Sequence, residues 1–206
     1  MEWLLGGGPI MIPLLVCSIL ALAVIIERAI NLRRNKILKP EILQTIATIR
    51  SPEDIPQALS KCEVIPGPFS KLLKRILINN HLSREEKYID IQAAGRQETK
   101  ELEKRLLVLE VITAVAPLLG LLGTVLGLES IFGIISELGL GQAKAFSGGL
   151  SEAIRTTVLG LFIAIPSLVA YSYFDKKVDT FVLEMEEYSM HILNILYPSY
   201  KPDRNK

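Results

Sequence analysis

No carboxylate, histidine or basic side chain lies within the three longest apolar runs of this chain. Trp3 to Ile26, Val111 to Leu128 and Thr156 to Phe174 are uncharged throughout. A proton relay needs titratable groups across the low-dielectric part of a membrane, so this chain alone lacks the means to conduct protons well. Its two histidines, His81 and His191, both fall in segments predicted to be cytoplasmic, and neither is a relay candidate. Cysteine is nearly absent: Cys17 and Cys62 form no metal or redox spacing and no disulfide framework, and both read as packing residues. An excess of one charge is missing too. Lys and Arg total 23 against 22 Asp and Glu, a formal net charge of +1, which argues against a nucleic-acid binder held by bulk charge. There is no H-E-x-x-H, no pair of aspartates and no Ser-Lys dyad at a common depth, so an intramembrane enzyme has neither nucleophile and base nor metal cluster. No cofactor or metal is expected.

What is present is apolar surface. The chain has 206 residues, 50% of them hydrophobic and only 6% aromatic, with mean hydropathy +0.36. Those values point to membrane segments. The run from Trp3 to Ile26 exceeds the roughly 20 residues that a span needs. Arg28, Arg33, Arg34, Lys36 and Lys39 follow it and mark the cytoplasmic side, so the N-terminus is expected outside. Ala21-Leu22-Ala23 resembles a signal-peptidase site. The start Met-Glu-Trp has no basic region, however, and the apolar run continues past Ala23, so a retained span is the better reading. The second span opens after Arg105 and continues through Glu129 to Ile135. The third ends at Asp175-Lys176-Lys177. The short, glycine-rich stretch between them is expected to form a tight hairpin outside the membrane.

The fold class expected is therefore all-α and membrane-integral. It comprises a short outer N-terminus (1–9), a first span (10–31), a cytoplasmic helical region (32–105), a second span (106–135), an outer hairpin (136–150), a third span (151–175) and a cytoplasmic C-terminal helix and tail (176–206). In the cytoplasmic region Ser51-Pro52-Glu53-Asp54 reads as an N-cap with proline at the first helical position. Pro66-Gly67-Pro68 breaks the chain before a basic amphipathic helix around Phe69 to Ile78, and Ser83 with Glu86 forms a capping box. The helix that follows meets no proline before Pro117, so it is expected to run unbroken from Glu85 into the second span. Arg96, Glu98, Lys100, Glu101, Glu103, Lys104 and Arg105 give it the charge pairs of a solvated helix. The third span likewise continues outward, with Val178, Phe181, Val182, Met185, Ile192 and Ile195 at helical spacing.

Two stripes of small residues stand out. Ala116, Gly120, Gly123 or Thr124, and Gly127 share one face of the second span. Ala153, Thr156 or Thr157, Gly160, Ala164 and Ser167 share one face of the third. Small residues at this spacing let membrane helices approach closely. The hydroxyls of Thr124, Thr156 and Thr157 either bond back to their own helices or line a water-bearing surface. Pro117 and Pro166 each free a carbonyl that neighbours or water must satisfy. Glu129 ends the uncharged part of the second span, and Glu152 and Arg155 open the third. An ionisable residue inside a span normally faces a bundle interior or a cavity; at a span end it is interfacial, which is the better reading for Glu27 and Glu110.

The segments A-P-L-L-G-L-L-G-T-V, Ala116 to Val125, and S-E-A-I-R-T-T-V-L-G-L-F-I-A-I-P, Ser151 to Pro166, resemble those of the MotA/TolQ/ExbB proton channel family, specifically its ExbB/TolQ branch. Three spans, with the large polar region between the first two, agree. Four spans would be expected of a flagellar MotA-type member. The resemblance implies a homopentameric ring in the bacterial inner membrane. Its second and third helices line a central pore holding the transmembrane helices of an ExbD/TolR-like single-span partner, whose membrane aspartate accepts and releases the proton. It also implies mechanical work on a TonB- or TolA-like protein. By position in the motifs, Thr124 and Thr157 correspond to the family's pore threonines and Glu152 to its outer pore glutamate, with Thr156 beside them. Glu129 and Arg155 depart from the pattern, standing where apolar residues are expected, as possible outer-pore charges. Ser172 stands where asparagine is common, and the segment before the first span is short. A structural membrane scaffold, with stripes serving assembly only, is the rival reading. It expects conservative changes at Thr124 and Thr157 to be silent.

Overall fold

The computed structural model describes residues 8–78, 82–138 and 143–197, and no strand occurs among them. His81, residues 1–7 of the N-terminus, the hairpin apex at 139–142 and residues 198–206 lie outside the described residues. The helices are α1 (Met11–Asn31), α2 (Arg34–Ile37), α3 (Pro40–Thr48), α4 (Ile55–Val64), α5 (Pro68–Ile78), α6 (Arg84–Glu103), α7 (Leu106–Leu138) and α8 (Ala143–Leu196), with a 3-10 turn at Pro52–Asp54. Three of them are long and apolar enough to cross a membrane: α1, α7 over Leu106–Gly133 and α8 within Ser147–Leu196. The chain forms two compact units. One holds Met1–Arg28 and Arg105–Phe174, the other Ala29–Lys104 and Asp175–Lys206.

The second unit has a conventional apolar core. Leu32, Ile37, Ile42 and Ile46 from the first part of the chain are buried, as are Phe69, Leu72, Leu73, Ile76 and Leu77 on one face of α5. The outer part of α8 contributes Val178, Phe181, Met185 and Ile192, also buried, so the periodicity read there marks a packing face. Phe69 meets Tyr188 at a ring-centroid distance of 5.8 Å. Arg34 donates to Glu184 at 2.8 Å, and the Tyr197 hydroxyl donates to the Leu82 carbonyl at 2.7 Å. Lys87 is fully buried on α6. Burial lowers the pKa of its ammonium, against the opposing pull of Asp90.

The capping box forms as expected: Glu86 N donates to Ser83 Oγ at 3.3 Å, and Ser83 N to the Glu86 carboxylate at 2.9 Å. Two expectations are corrected. Ser51 does not cap the following helix. Asp54, a stronger acceptor, instead reaches back to the N–H groups of Arg50 and Ser51 at 2.9 and 3.1 Å. The helix into the second span is interrupted at Lys104-Arg105. This is the step from charged to uncharged sequence, and Arg105 is held there by Glu27 of α1 at 2.6 Å. The segment 136–150 is largely helical among the described residues, since α7 runs to Leu138 and α8 begins at Ala143. Gly149 does not end α8; it continues the small-residue stripe, and a Cβ there would lie 2.6 Å from Ile131 Cγ1.

Accepted backbone N–H bonds hold the carboxyls of Asp54 and Glu86 below the usual range. Such groups stabilise the fold above their unfolded pKa of about 4, and that contribution is lost as pH falls through the folded value. Acidification of the detergent-solubilised chain below about pH 5 should therefore lower its melting midpoint. The Asp54→Asn, Glu86→Gln double variant should lack that part of the acid slope. Cys62 behaves differently. Burial raises its thiol to about 11, so at neutral pH it should resist a maleimide until the chain is denatured, as mass spectrometry would record.

Candidate functional site

α7 and α8 lie antiparallel in one unit with their small residues interlocked. The pairings run Ile131 on Gly149, Gly127 on Ala153, Gly123 on Thr156, Gly120 on Thr156 and Thr157, and Ala116 on Gly160. A Cβ on Gly127 would lie 2.8 Å from Ala153 Cβ, one on Gly120 2.9 Å from Thr156 O, and one on Gly160 2.5 Å from Ala116 O. Two backbones approach this closely only where side chains are absent. Ala164 and Ser167 are buried on the α8 stripe, and Ser167 Oγ donates to its own helix at Ile163 O, 2.8 Å. Pro117 and Pro166 sit inside their helices without ending them.

This close approach gathers the three threonines. Thr156 is buried in the interface, its hydroxyl within reach of Ala153 O at 2.8 Å and Gly120 O at 3.3 Å. It packs onto Gly123, where a Cβ would lie 2.5 Å from the Thr156 oxygen. Thr124 and Thr157 lie at the edge of the same interface, half-buried, and hydrogen-bond to each other. Thr124 Oγ1 also reaches Ala153 O at 3.0 Å and Gly120 O at 3.3 Å. Thr157 Oγ1 reaches Gly120 O at 3.1 Å. Two hydroxyls thus share two protons among each other and two carbonyls.

The expected outer charges are not part of this cluster. Among the described residues, no hydrogen bond or ion pair joins Glu129, Glu152 or Arg155 to the threonines or to one another. Glu129 is exposed and continues the row of exposed Leu118, Leu122 and Val125, so it lies on a face of α7 turned from α8. Arg155 precedes Thr157 by two residues, which places it on nearly the opposite side of α8. The half-buried Glu152 lies against Gly8, where a Cβ would come within 2.7 Å of its Oε1. At the other end of the unit, Glu27 accepts from Arg28 at 2.7 and 2.9 Å as well as from Arg105, so its carboxylate ties α1 to the residue that leads into α7. The reading of the sequence missed Gly8, whose only signal is a Gly-Pro dipeptide. It also missed the carbonyls of Gly120 and Ala153, which no side-chain pattern announces.

The sequence profile of the MotA/TolQ/ExbB proton channel family matches residues 64–187, a stretch that contains the interlocked stripes and all three threonines. The chain belongs to this family. Relatives named ExbB place it with that branch. The biopolymer transport protein ExbB of Aquifex aeolicus is 38% identical over 109 residues, covering 53% of this chain and 74% of that protein. The ExbB-like 3 protein of Synechocystis sp. is 33% identical over 181 residues, 82% of each. ExbB of Helicobacter pylori is 47% identical over 92 residues, 45% of this chain and 61% of its own length. The family's description as a proton channel agrees with the three apolar helices.

Proposed function

We propose that this chain is the channel subunit of an inner-membrane motor that uses the proton motive force to energise a TonB- or TolA-like protein. In this reading the chains form a ring, most simply a homopentamer in contact with membrane lipids. The N-terminus faces the periplasm and the C-terminus the cytoplasm. An ExbD/TolR-like partner supplies the membrane aspartate inside the ring. The driving force is ample, since one charge moved through 100 mV is worth roughly 2.3 kcal/mol.

The observation that carries the reading is the Thr124–Thr157 pair, which lies within the uncharged runs Val111 to Leu128 and Thr156 to Phe174. The bond between the two hydroxyls can run in either direction. Thr157 donates to Thr124 and Thr124 to Ala153 O or Gly120 O, or Thr124 donates to Thr157 and Thr157 to Gly120 O. Each order satisfies both protons and leaves the leading oxygen with free lone pairs, because a hydroxyl has one donor and two acceptor sites. The pair therefore offers an acceptor to an outside donor. A protonated carboxylic acid is such a donor; a carboxylate, which only accepts, is not. The arrangement suits a partner aspartate in its neutral form, which is the form that passes through a low-dielectric region at least cost.

A hydrophobic carbodiimide couples to protonated carboxyls within lipid and so tests the assignment. Applied to the complex of this chain with its single-span partner, it should label the partner's membrane carboxyl and stop proton flux, leaving this chain unlabelled. A label on Glu129 or Glu152 that stops flux would place the titrating group here instead.

A further inference from the structure

We propose that a cavity in the second unit receives Val64 of a second copy of this chain, with Lys61 of that copy paired to Glu186 at the cavity's mouth. The inference rests on the ring proposed above and names one of its contacts. The cavity lies where α5, α6 and α8 meet and measures about 150 Å³. Leu72, Ile91 and Met190 give it apolar walls, and the exposed Gln92 and Glu186 stand at its mouth. An apolar space of that size accepts a benzene ring, so a branched aliphatic side chain fits.

Gly95 is part of the lining, and the packing of its own chain does not account for it. It lies inside α6, where glycine weakens a helix relative to alanine. Its φ is not positive, and a Cβ there would meet nothing within 4 Å. Neither the backbone conformation nor a neighbour in the same chain demands the bare Cα. What it adds is depth to the cavity, which serves a group entering from outside.

Helix α4 carries a group of matching shape and charge. Val64, its last residue, is 79% exposed. Lys61 lies one turn before it, exposed on the same side. The acid beside Val64, Glu63, is already taken by Lys74 at 2.8 Å. Lys61 and Glu186, by contrast, enter no ion pair among the described residues. An ammonium is thus left open beside an apolar knob, and a carboxylate beside an apolar hole. Val64 does not line the cavity of its own chain. Joining knob to hole between copies therefore gives a head-to-tail contact, the type that builds rings.

Cross-linking of the full chain in membranes tests the contact. One tagged copy carries Val64→Cys, and a second, differently tagged, carries Gln92→Cys. A short bis-maleimide should join the two tags, whereas either variant with the unmodified chain should give only the background that Cys17 and Cys62 set. No product above that background would overturn the proposal. Lys61→Glu in the first copy should lower the yield about fivefold, and Glu186→Lys in the second should restore it; a loss without restoration would overturn the pairing. Gly95→Leu, which fills the hole, should abolish the product without lowering the melting midpoint, since leucine favours the helix. An undiminished product in Gly95→Leu would overturn the proposal. So would protection of the Gln92→Cys thiol from maleimide only when the single-span partner is present, which would assign the cavity to that partner. Native mass spectrometry separates the two readings: a ring without the cross-link overturns this contact alone, and a monomer overturns the ring with it.

Discussion

Replacing Gly160 by leucine should abolish the folded oligomer, and even Gly160→Ala should destabilise it clearly. The alanine Cβ would lie 2.5 Å from Ala116 O and 3.2 Å from Gly120 Cα, where ordinary contact begins near 3.4 Å. Both obstacles are backbone, so no side-chain rotation relieves them. The helices must part by roughly an ångström, at the 1–3 kcal/mol typical of overpacking. Lipid offers no hydrophobic compensation for lost helix–helix packing. The consequence reaches function, because the same separation pulls Thr124 from Thr157 and from Ala153 O. Gly160→Ala should therefore lower the melting midpoint in detergent by several degrees and reduce flux together. Leucine should leave no assembled species on native mass spectrometry. Wild-type melting for Gly160→Ala would mean that the interlocked spans are not packed as described.

Thr157→Val is the opposite case, with a large loss of function at little cost in stability. Valine keeps the branched shape, and Gly120 O and Ala153 O remain acceptors in their own helices, so no buried carbonyl is orphaned. Removing such a hydroxyl bond should cost about 1 kcal/mol or less. Function should fall far more, because the remaining Thr124 can donate only to a carbonyl, Ala153 O or Gly120 O, and has no hydroxyl partner with which to reverse its bond. Flux through the complex should drop at least tenfold while oligomer mass and melting stay close to wild type. Thr124→Val should behave alike, and the double variant should be little worse than either, as expected of groups acting as a unit. Silent variants would favour the scaffold reading. Thr156→Val should act mainly on packing, since that hydroxyl is enclosed between Gly123 and backbone carbonyls.

Much of this was legible from residue spacing. The three apolar helices follow from uncharged runs, and the α5 and outer α8 faces follow from periodicity. The stripes of Ala116, Gly120, Gly123 and Gly127 and of Ala153, Thr156 and Gly160 marked the surfaces that meet. Spacing does not fix register between two helices, however. Which glycine faces which threonine depends on the antiparallel pairing, and that pairing separates the enclosed Thr156 from the edge pair Thr124 and Thr157. Gly149 lies in the glycine-rich stretch between the spans, and only the helix pairing shows it as a packing position against Ile131. Glu152 was legible as an outer charge, but its seat on Gly8 joins residues 144 positions apart in sequence, beyond what any local pattern carries.

The central claim is that this chain supplies hydroxyls and a second chain supplies the acid. Proton flux into vesicles under an imposed potential tests it most directly, comparing this chain alone, the chain with its single-span partner, and that complex carrying Thr157→Val. No flux from the chain alone, flux with the partner, and loss of that flux in the variant is the result predicted. Flux from the chain alone, or undiminished flux in the variant complex, would contradict it.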